Sequence, residues 1–153
     1  MGGTLFLEDL HVGQRFTAGP SKVTADDIIR FAREFDPQPF HLDGNAAATT
    51  PFKGLVASGW HTAALTMRML VDGGMPLAAG VIGVGGEIAW PRPVHPGDVL
   101  SVESEVLAIT PSRSRPDRAT VTMRSTTTNQ NGDAVQVLTA KLIAYPRNAG
   151  LSG

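Results

Sequence analysis

Asp36 and His41 are the two residues of this chain whose types and spacing best suit proton-transfer chemistry. They sit in the stretch Phe35-Asp36-Pro37-Gln38-Pro39-Phe40-His41-Leu42-Asp43, where Pro37 and Pro39 stiffen the backbone because the pyrrolidine ring fixes φ. A carboxylate and an imidazole on a stiff loop can converge on one water or one substrate atom. Near pH 7 a neutral imidazole accepts a proton from that water, while the carboxylate holds it or carries a second proton. The same spacing also fits a plainer pair of roles, with Asp36 in the C-terminal turn of a helix and His41 packed with its nitrogens satisfied.

Other chemistries find less support. The chain has no Cys, which removes thiolate nucleophiles, disulfides, Cys-ligated zinc and iron–sulfur clusters together. Its four His, scattered among the acids, show no ligand spacing such as His-x-x-x-His, so no metal site is expected. Gly80-Val81-Ile82-Gly83-Val84-Gly85-Gly86 has neither the spacing nor the strand–turn–helix context of a phosphate loop; glycines at a strand start suit a bulge or a close backbone approach. Thirteen basic and fourteen acidic residues leave a net charge of −1, with no general field for nucleic acid or anionic lipid. Ten of the thirteen basic residues are Arg, which fits phosphate or carboxylate clamps and equally fits codon bias.

The elements that must position Asp36 and His41 are readable from periodicity. A length of 153 residues makes one domain, 1–153, able to bury roughly 70 % of its unfolded surface. A hydrophobic content of 42 % with 18 % charged residues argues against disorder and against a coiled coil. No apolar run reaches the roughly 18 residues of a membrane span, and the N-terminus lacks a basic-then-apolar signal, so a cytoplasmic protein is expected. The first twenty residues read as short apolar stretches broken by a turn at His11-Val12-Gly13-Gln14. Thr24 as N-cap, with Asp27 three residues on, starts a helix from Ala25 to about Phe35. Its apolar stripe is Ile28, Phe31, Ala32 and Phe35, and Asp36-Pro37 ends it because the residue before a proline leaves the α region. Pro37, Pro39 and Pro51 keep the next stretch irregular apart from a possible turn at Asn45–Ala48.

A second helix is expected from about Leu55 to Val71, between Gly54 and Asp72-Gly73-Gly74, and buried on most sides by its small residues. Strands follow at Ile82–Trp90, Val99–Ile109, Arg118–Thr128 and Ala134–Tyr145, the last two joined by a hairpin turn at Asn129-Gln130-Asn131-Gly132-Asp133. Two helices followed by a run of long strands define an α+β fold with an antiparallel sheet. Around the candidate pair, Asp43 suits a cap on the turn at Gly44-Asn45 better than catalysis. Ser58 suits a helix cap or a hydrogen bond to substrate. Trp60, His61 and Met67 suit packing, with lining of a pocket as the alternative, and His11 and His95 are expected in exposed turns.

Asp-x-(Asn/Gln)-Pro-x-His-x-Asp after an amphipathic helix resembles the MaoC-like dehydratases, including the (R)-specific enoyl-CoA hydratases. The likeness continues through Phe52-Lys53-Gly54-Leu55-Val56-Ala57-Ser58-Gly59, which is similar to the family's entry into its central helix, and through Pro93-Val94-His95-Pro96-Gly97-Asp98, which is similar to its Pro-Val-x-x-Gly-Asp turn. These landmarks span about Phe6 to Tyr145. The resemblance implies a hot dog fold, an antiparallel sheet wrapped round the Leu55–Val71 helix, paired as a homodimer. It implies Asp36 and His41 as the catalytic pair and Gly59 as the backbone oxyanion donor, with Ser58, Trp60 and Phe40 as substrate-binding candidates. The implied reaction is addition of water to a trans-2-enoyl thioester, or its reverse, in fatty acid metabolism, with CoA as part of the substrate and no other cofactor.

Two departures stand out. Gln38 replaces the usual Asn but keeps an amide. Ser58 stands where the family often has His before the helix glycine, followed by Trp60-His61, a change that bears on the acyl pocket more than on the reaction. Two alternatives share the fold. A thioesterase would use a carboxylate on or near the central helix, and Leu55–Val71 contains none. A non-catalytic acyl-CoA-binding protein would keep the pocket without turnover. Trp90, Arg92 and Arg113 to Arg118 are cations and an aromatic that could meet CoA phosphates, but an exposed Arg-rich loop is the default and no clamp is assigned from sequence.

Overall fold

The helix expected at Ala25–Phe35 forms over those residues (α1) in the computed structural model, which describes residues 3–150. The ends of the expected 1–153 domain, residues 1–2 and 151–153, lie outside the described residues. Thr24 caps α1 as expected, its hydroxyl oxygen accepting from Asp27 N at 3.1 Å. Ile28 and Ala32 are fully buried. Burying a side chain the size of Ile28 stabilises by about 1.5–3 kcal/mol. Phe35, expected in the same stripe, is instead 68 % exposed at the last helical residue, where its ring keeps contact with Phe31 at 5.1 Å.

The proline-rich segment is more ordered than expected. Pro39–Leu42 forms a short helix (α2), with Pro39 in the first turn, where a missing N–H leaves no bond unmade. Gly44–Ala47 forms a second (α3), close to the expected turn. Asp43 caps it, Oδ1 accepting from Asn45 N at 2.9 Å.

The central helix is shorter than expected. It runs Gly59–Met69 (α4) and passes into a wide turn over Leu70–Gly74, which Gly73 closes at φ 150°. Leu55 to Ser58 stay extended because their N–H groups serve other partners: Val56 N donates to Phe40 O (3.0 Å) and Ala57 N to Val94 O (2.9 Å). Ser58, not Gly54, sets the start, its Oγ accepting from Trp60 N at 3.3 Å. Nor is the helix buried on most sides. His61, Thr62, Thr66 and Met69 face inward, whereas Trp60 (61 % exposed), Met67 (41 %) and Val71 (62 %) line an open face. The expectation that Trp60 and Met67 pack is thereby corrected.

Five strands form one antiparallel sheet: β1 (Arg15–Lys22), β2 (Gly83–Ala89), β3 (Val99–Pro111), β4 (Ala119–Thr128) and β5 (Ala134–Ala144), in the order β1-β3-β4-β5-β2. The last four lie within two residues of their expected bounds. β1 was not expected, because Gly19-Pro20 interrupts its pattern. It is tolerated on an edge strand by a register shift between Ala18 and Ser21. The glycines of β2 behave as read: the register shifts between Gly83 and Gly85, and a Cβ on Gly86 would lie 2.5 Å from Thr139 O. Gly132, at φ 80°, turns the β4–β5 hairpin.

The inner face of the sheet wraps α4. Leu100, Val102, Val106, Val121, Met123 and Leu142 meet Met69 and Leu70 in one core. Towards Thr128 and Ala134 the inner face turns polar, and most of its buried groups pair with one another, Gln136 Nε2 having no partner among the described residues. Ser104 Oγ lies 2.6 Å from Ser125 Oγ, Thr66 Oγ1 lies 2.7 Å from Thr127 Oγ1, and Trp90 Nε1 donates to Gln136 Oε1 at 2.9 Å. No helix among the described residues is long and apolar enough to cross a membrane.

Candidate active site

Asp36 leaves α1 with its N–H still bonded to Ala32 O (2.9 Å) and its φ at −153°, so the chain turns sharply there. Gln38 N donates to Asp36 O (2.8 Å) and His41 N to Gln38 O (2.9 Å), a run of tight turns that folds α2 back onto the end of α1. That folding brings the two side chains together: His41 Nε2 lies 3.3 Å from Asp36 Oδ2. The other ring nitrogen, Nδ1, lies 2.8 Å from Val56 O. A carbonyl only accepts, so Nδ1 carries a proton and Nε2 is the ring nitrogen left to accept or give one beside Asp36. The ring is 6 % exposed, with Phe40 edge-on to it at 4.6 Å.

Asp36 is held on both oxygens. Ser58 Oγ donates to Oδ2 at 2.7 Å, and Gln38 Nε2 donates to Oδ1 at 2.6 Å. Burial opposes ionisation, but the hydrogen bonds from Ser58 and Gln38 and the neighbouring His41 outweigh it, so the pKa of Asp36 lies below the ordinary 3.8. The group is a carboxylate near neutral pH.

Ser58 joins this pair to α4, because the hydroxyl whose proton goes to Asp36 is also the helix cap. The next residue, Gly59, opens the helix, and its N–H has no acceptor among the described residues. A helix N-terminus carries such unpaired donors and partial positive charge, which suits a developing oxyanion. The Trp90 ring packs on Gly59 so closely that a Cβ there would lie 2.6 Å from Trp90 Cε2. Asp36, His41 and Gly59 all line one cavity of about 470 Å³, walled by apolar groups including Phe40, Phe52, Val56, Trp60 and Trp90. A carboxylate, an imidazole lone pair and a free N–H around one apolar cavity can move a proton at one end of a substrate and hold negative charge at the other.

The structure thus brings Asp36, His41, Gly59, Phe40 and Trp60 to one cavity and puts Ser58 behind it, 1 % exposed and bonded to Asp36. His61 is elsewhere. It stacks on Phe31 at 4.8 Å, its Nδ1 has no partner among the described residues, and burial pushes its pKa below the ordinary 6.5. His11 and His95 are exposed, as expected. No three His, Asp or Glu side chains converge among the described residues. Sequence reasoning missed the fixing of Asp36 by the Gln38 amide, although Gln38 was marked by its place between the pair. It also missed Val56 O, a backbone carbonyl fifteen residues from His41 that no local signal marks, and it named Trp90 only as a neighbour for CoA phosphates, not as the ring packed on Gly59.

The MaoC like domain family model matches residues 9–130, and the chain belongs to that family. A MaoC-like dehydratase from Rhodospirillum rubrum is 61 % identical, with TM-score 0.92 over 94 % of this chain and 98 % of its own. The structure of the (R)-hydratase PhaJ1 from Pseudomonas aeruginosa is 33 % identical, with TM-score 0.77 over 94 % of this chain and 88 % of its own. Among curated proteins, an uncharacterized protein of Bacillus subtilis, YdeM, is 36 % identical over 71 % of this chain and 77 % of its own. A 3-hydroxybutyryl-CoA dehydratase of Methylorubrum extorquens is 32 % identical over 72 % of this chain and 69 % of its own. The sheet wrapped around α4 is the hot dog fold of these neighbours.

Proposed function

We propose that this protein adds water to a trans-2-enoyl thioester, or removes it from the 3-hydroxyacyl thioester, with CoA as the thiol carrier. The observation that carries this reading is the Asp36–His41 pair, 3.3 Å apart, in the same cavity as the free N–H of Gly59. Hydration needs a base for water at C3, a proton for C2, and a donor for the enolate oxygen, and the cavity offers one group for each. His41 Nε2 takes a proton from a water that Asp36 also holds, and the water oxygen bonds to C3. Electron density moves to the thioester oxygen at Gly59 N–H. The imidazolium, steadied by the Asp36 carboxylate, returns a proton to C2 on the same face, so addition is syn. Phe40 and Trp60 wall the acyl group. This chemistry calls for no cofactor beyond the CoA of the substrate.

The relatives named as a 3-hydroxybutyryl-CoA dehydratase and an (R)-hydratase support an acyl-CoA substrate and a place in fatty acid metabolism. The open apolar face of Trp60, Met67 and Val71, with β2 at the edge of the sheet, supports a homodimer, and a cytoplasmic location belongs to the same proposal. One observation favours a second reading. α4 itself has no acidic residue, but Asp36 reaches its N-terminus through Ser58, so a carboxylate does stand where a thioesterase would need one. Both readings are tested by mixing the protein with crotonyl-CoA and following enoyl absorbance and free thiol together. Loss of absorbance without thiol release is the expected result. Thiol release favours the thioesterase, and calorimetric binding with neither signal leaves an acyl-CoA-binding protein.

A further inference from the structure

Six of the ten arginines form ion pairs within the chain, and among the described residues Arg33, Arg92, Arg113 and Arg115 form none. Of these four, Arg92 alone lines the cavity that holds Asp36 and His41. It does not pair with Asp36, whose oxygens accept from Ser58 and Gln38 and which faces His41. Arg113 and Arg115 belong to the β3–β4 turn, at the opposite end of the ten-residue β4 from the cavity wall at Val135. At roughly 3.3 Å per residue that separation is about 30 Å. Arg118, in the same turn, is taken by Asp117 and lies over the Tyr145 ring.

Arg92 is also well prepared to bind. Pro91 and Pro93 flank it, so φ is fixed on either side and the residue between them has little backbone freedom. A guanidinium stays charged at any working pH and presents a planar fork that matches carboxylate or phosphate oxygens. Arg92 is exposed and shares the cavity lining with Phe52 and Val94, so an anion can reach it from solvent.

We propose that Arg92 is the anion-binding residue of this site, receiving an oxyanion group carried by the thioester substrate. The ligand chemistry is a phosphate of the thiol carrier or a carboxylate on the acyl chain. The assignment rests on the thioester reading above and names the feature of the substrate that the cavity selects. It separates the cavity arginine from the Arg-rich turn, which by position serves no part of this site within the chain.

The test compares wild type with Arg92→Gln and Arg92→Lys on three probes: crotonyl-CoA, crotonyl-pantetheine, which has no phosphate, and glutaconyl-pantetheine, which has only a carboxylate. Arg113→Gln is the control. Rates and calorimetric Kd are measured for each. The expected result is that Arg92→Gln raises KM and Kd about tenfold on the anion-bearing probe, the equivalent of about 1.4 kcal/mol, with kcat within about twofold. Lys restores part of the affinity as a point charge. A phosphate source shows the effect on crotonyl-CoA and not on crotonyl-pantetheine; a carboxylate source shows it on glutaconyl-pantetheine alone. Equal losses on all three probes, no loss on any, or the same loss in Arg113→Gln overturns the assignment. Should wild type bind crotonyl-CoA without turnover while Arg92→Gln binds it tenfold more weakly, the hydratase reading falls and the anion site stands. Normal turnover in wild type with unchanged constants in Arg92→Gln gives the reverse.

Discussion

His41 and His61 are buried to the same degree, 6 % exposed each, in opposite chemical surroundings. His41 has a carbonyl on one nitrogen and a carboxylate facing the other, and it lines the cavity. His61 has a phenyl ring against its face and no partner for Nδ1. The first arrangement fixes the Nδ1 proton and sets Nε2 beside a held carboxylate; the second disfavours the charged ring by desolvation and gives it nothing to do with a proton. Burial of a histidine is thus uninformative by itself. What separates a base from a filler is whether both ring nitrogens are assigned.

The sharpest way to break the comparison is to remove the proposed catalytic pair. His41→Ala and Asp36→Asn should each lower kcat by about 10²–10⁴-fold, the usual worth of a placed acid–base group. Circular dichroism should show the fold retained. Gly59→Ala comes next. Its Cβ would meet the Trp90 ring at 2.6 Å, so either the ring or the helix start must shift. Overpacking of this kind destabilises by about 1–3 kcal/mol, and thermal melting should show the loss, with Trp90→Ala in the same chain restoring part of it.

Ser58→Ala sharpens the same contrast more gently. Without the hydroxyl donor the carboxylate of Asp36 is less favoured, so its pKa rises. The acid limb of the kcat/KM profile should move to higher pH, with about a tenfold loss of activity; an unmoved limb would detach Ser58 from the pair. The smallest effect belongs to His61. Its folded pKa is lowered, so the unfolded chain binds more protons below pH 6.5 and stability falls as the pH drops through that value. Asp36 also destabilises on acidification, but only below 3.8, where its unfolded form takes up the proton first. His61→Phe should flatten the stability change between about pH 7 and pH 5 and leave activity within about threefold, as measured by denaturant midpoints and initial rates.

Much of this contrast was legible in the chain. α1, its Thr24 cap and its stop at Asp36 followed from local propensity, and the four later strands from alternation, because those signals involve only near neighbours. The Asp36–His41 pair was suggested by residue type and a stiff spacer, which left a plainer reading open, and was singled out by the family resemblance. The start of α4 did not, because Val56 and Ala57 bond to Phe40 and Val94, partners set by tertiary structure. β1 was hidden for a related reason: its pattern is broken at Gly19-Pro20 and only pairing with β3 makes it a strand. The open face of α4 was misread because small and apolar residues look buried in a single chain whether they meet the core or another surface. His41 was marked in sequence by Asp36 and the proline spacer whereas His61 read as packing, and the positions of Val56 O and Phe31 supply the physical reason.

The central claim is that His41, and not His61, moves the proton in thioester hydration. Initial rates of crotonyl-CoA hydration, read from loss of enoyl absorbance in wild type, His41→Asn and His61→Asn side by side, test it most directly. A loss of at least about a hundredfold in His41→Asn, with His61→Asn within about threefold of wild type, is the predicted result. Comparable rates in wild type and His41→Asn, or a collapse confined to His61→Asn, would contradict the account.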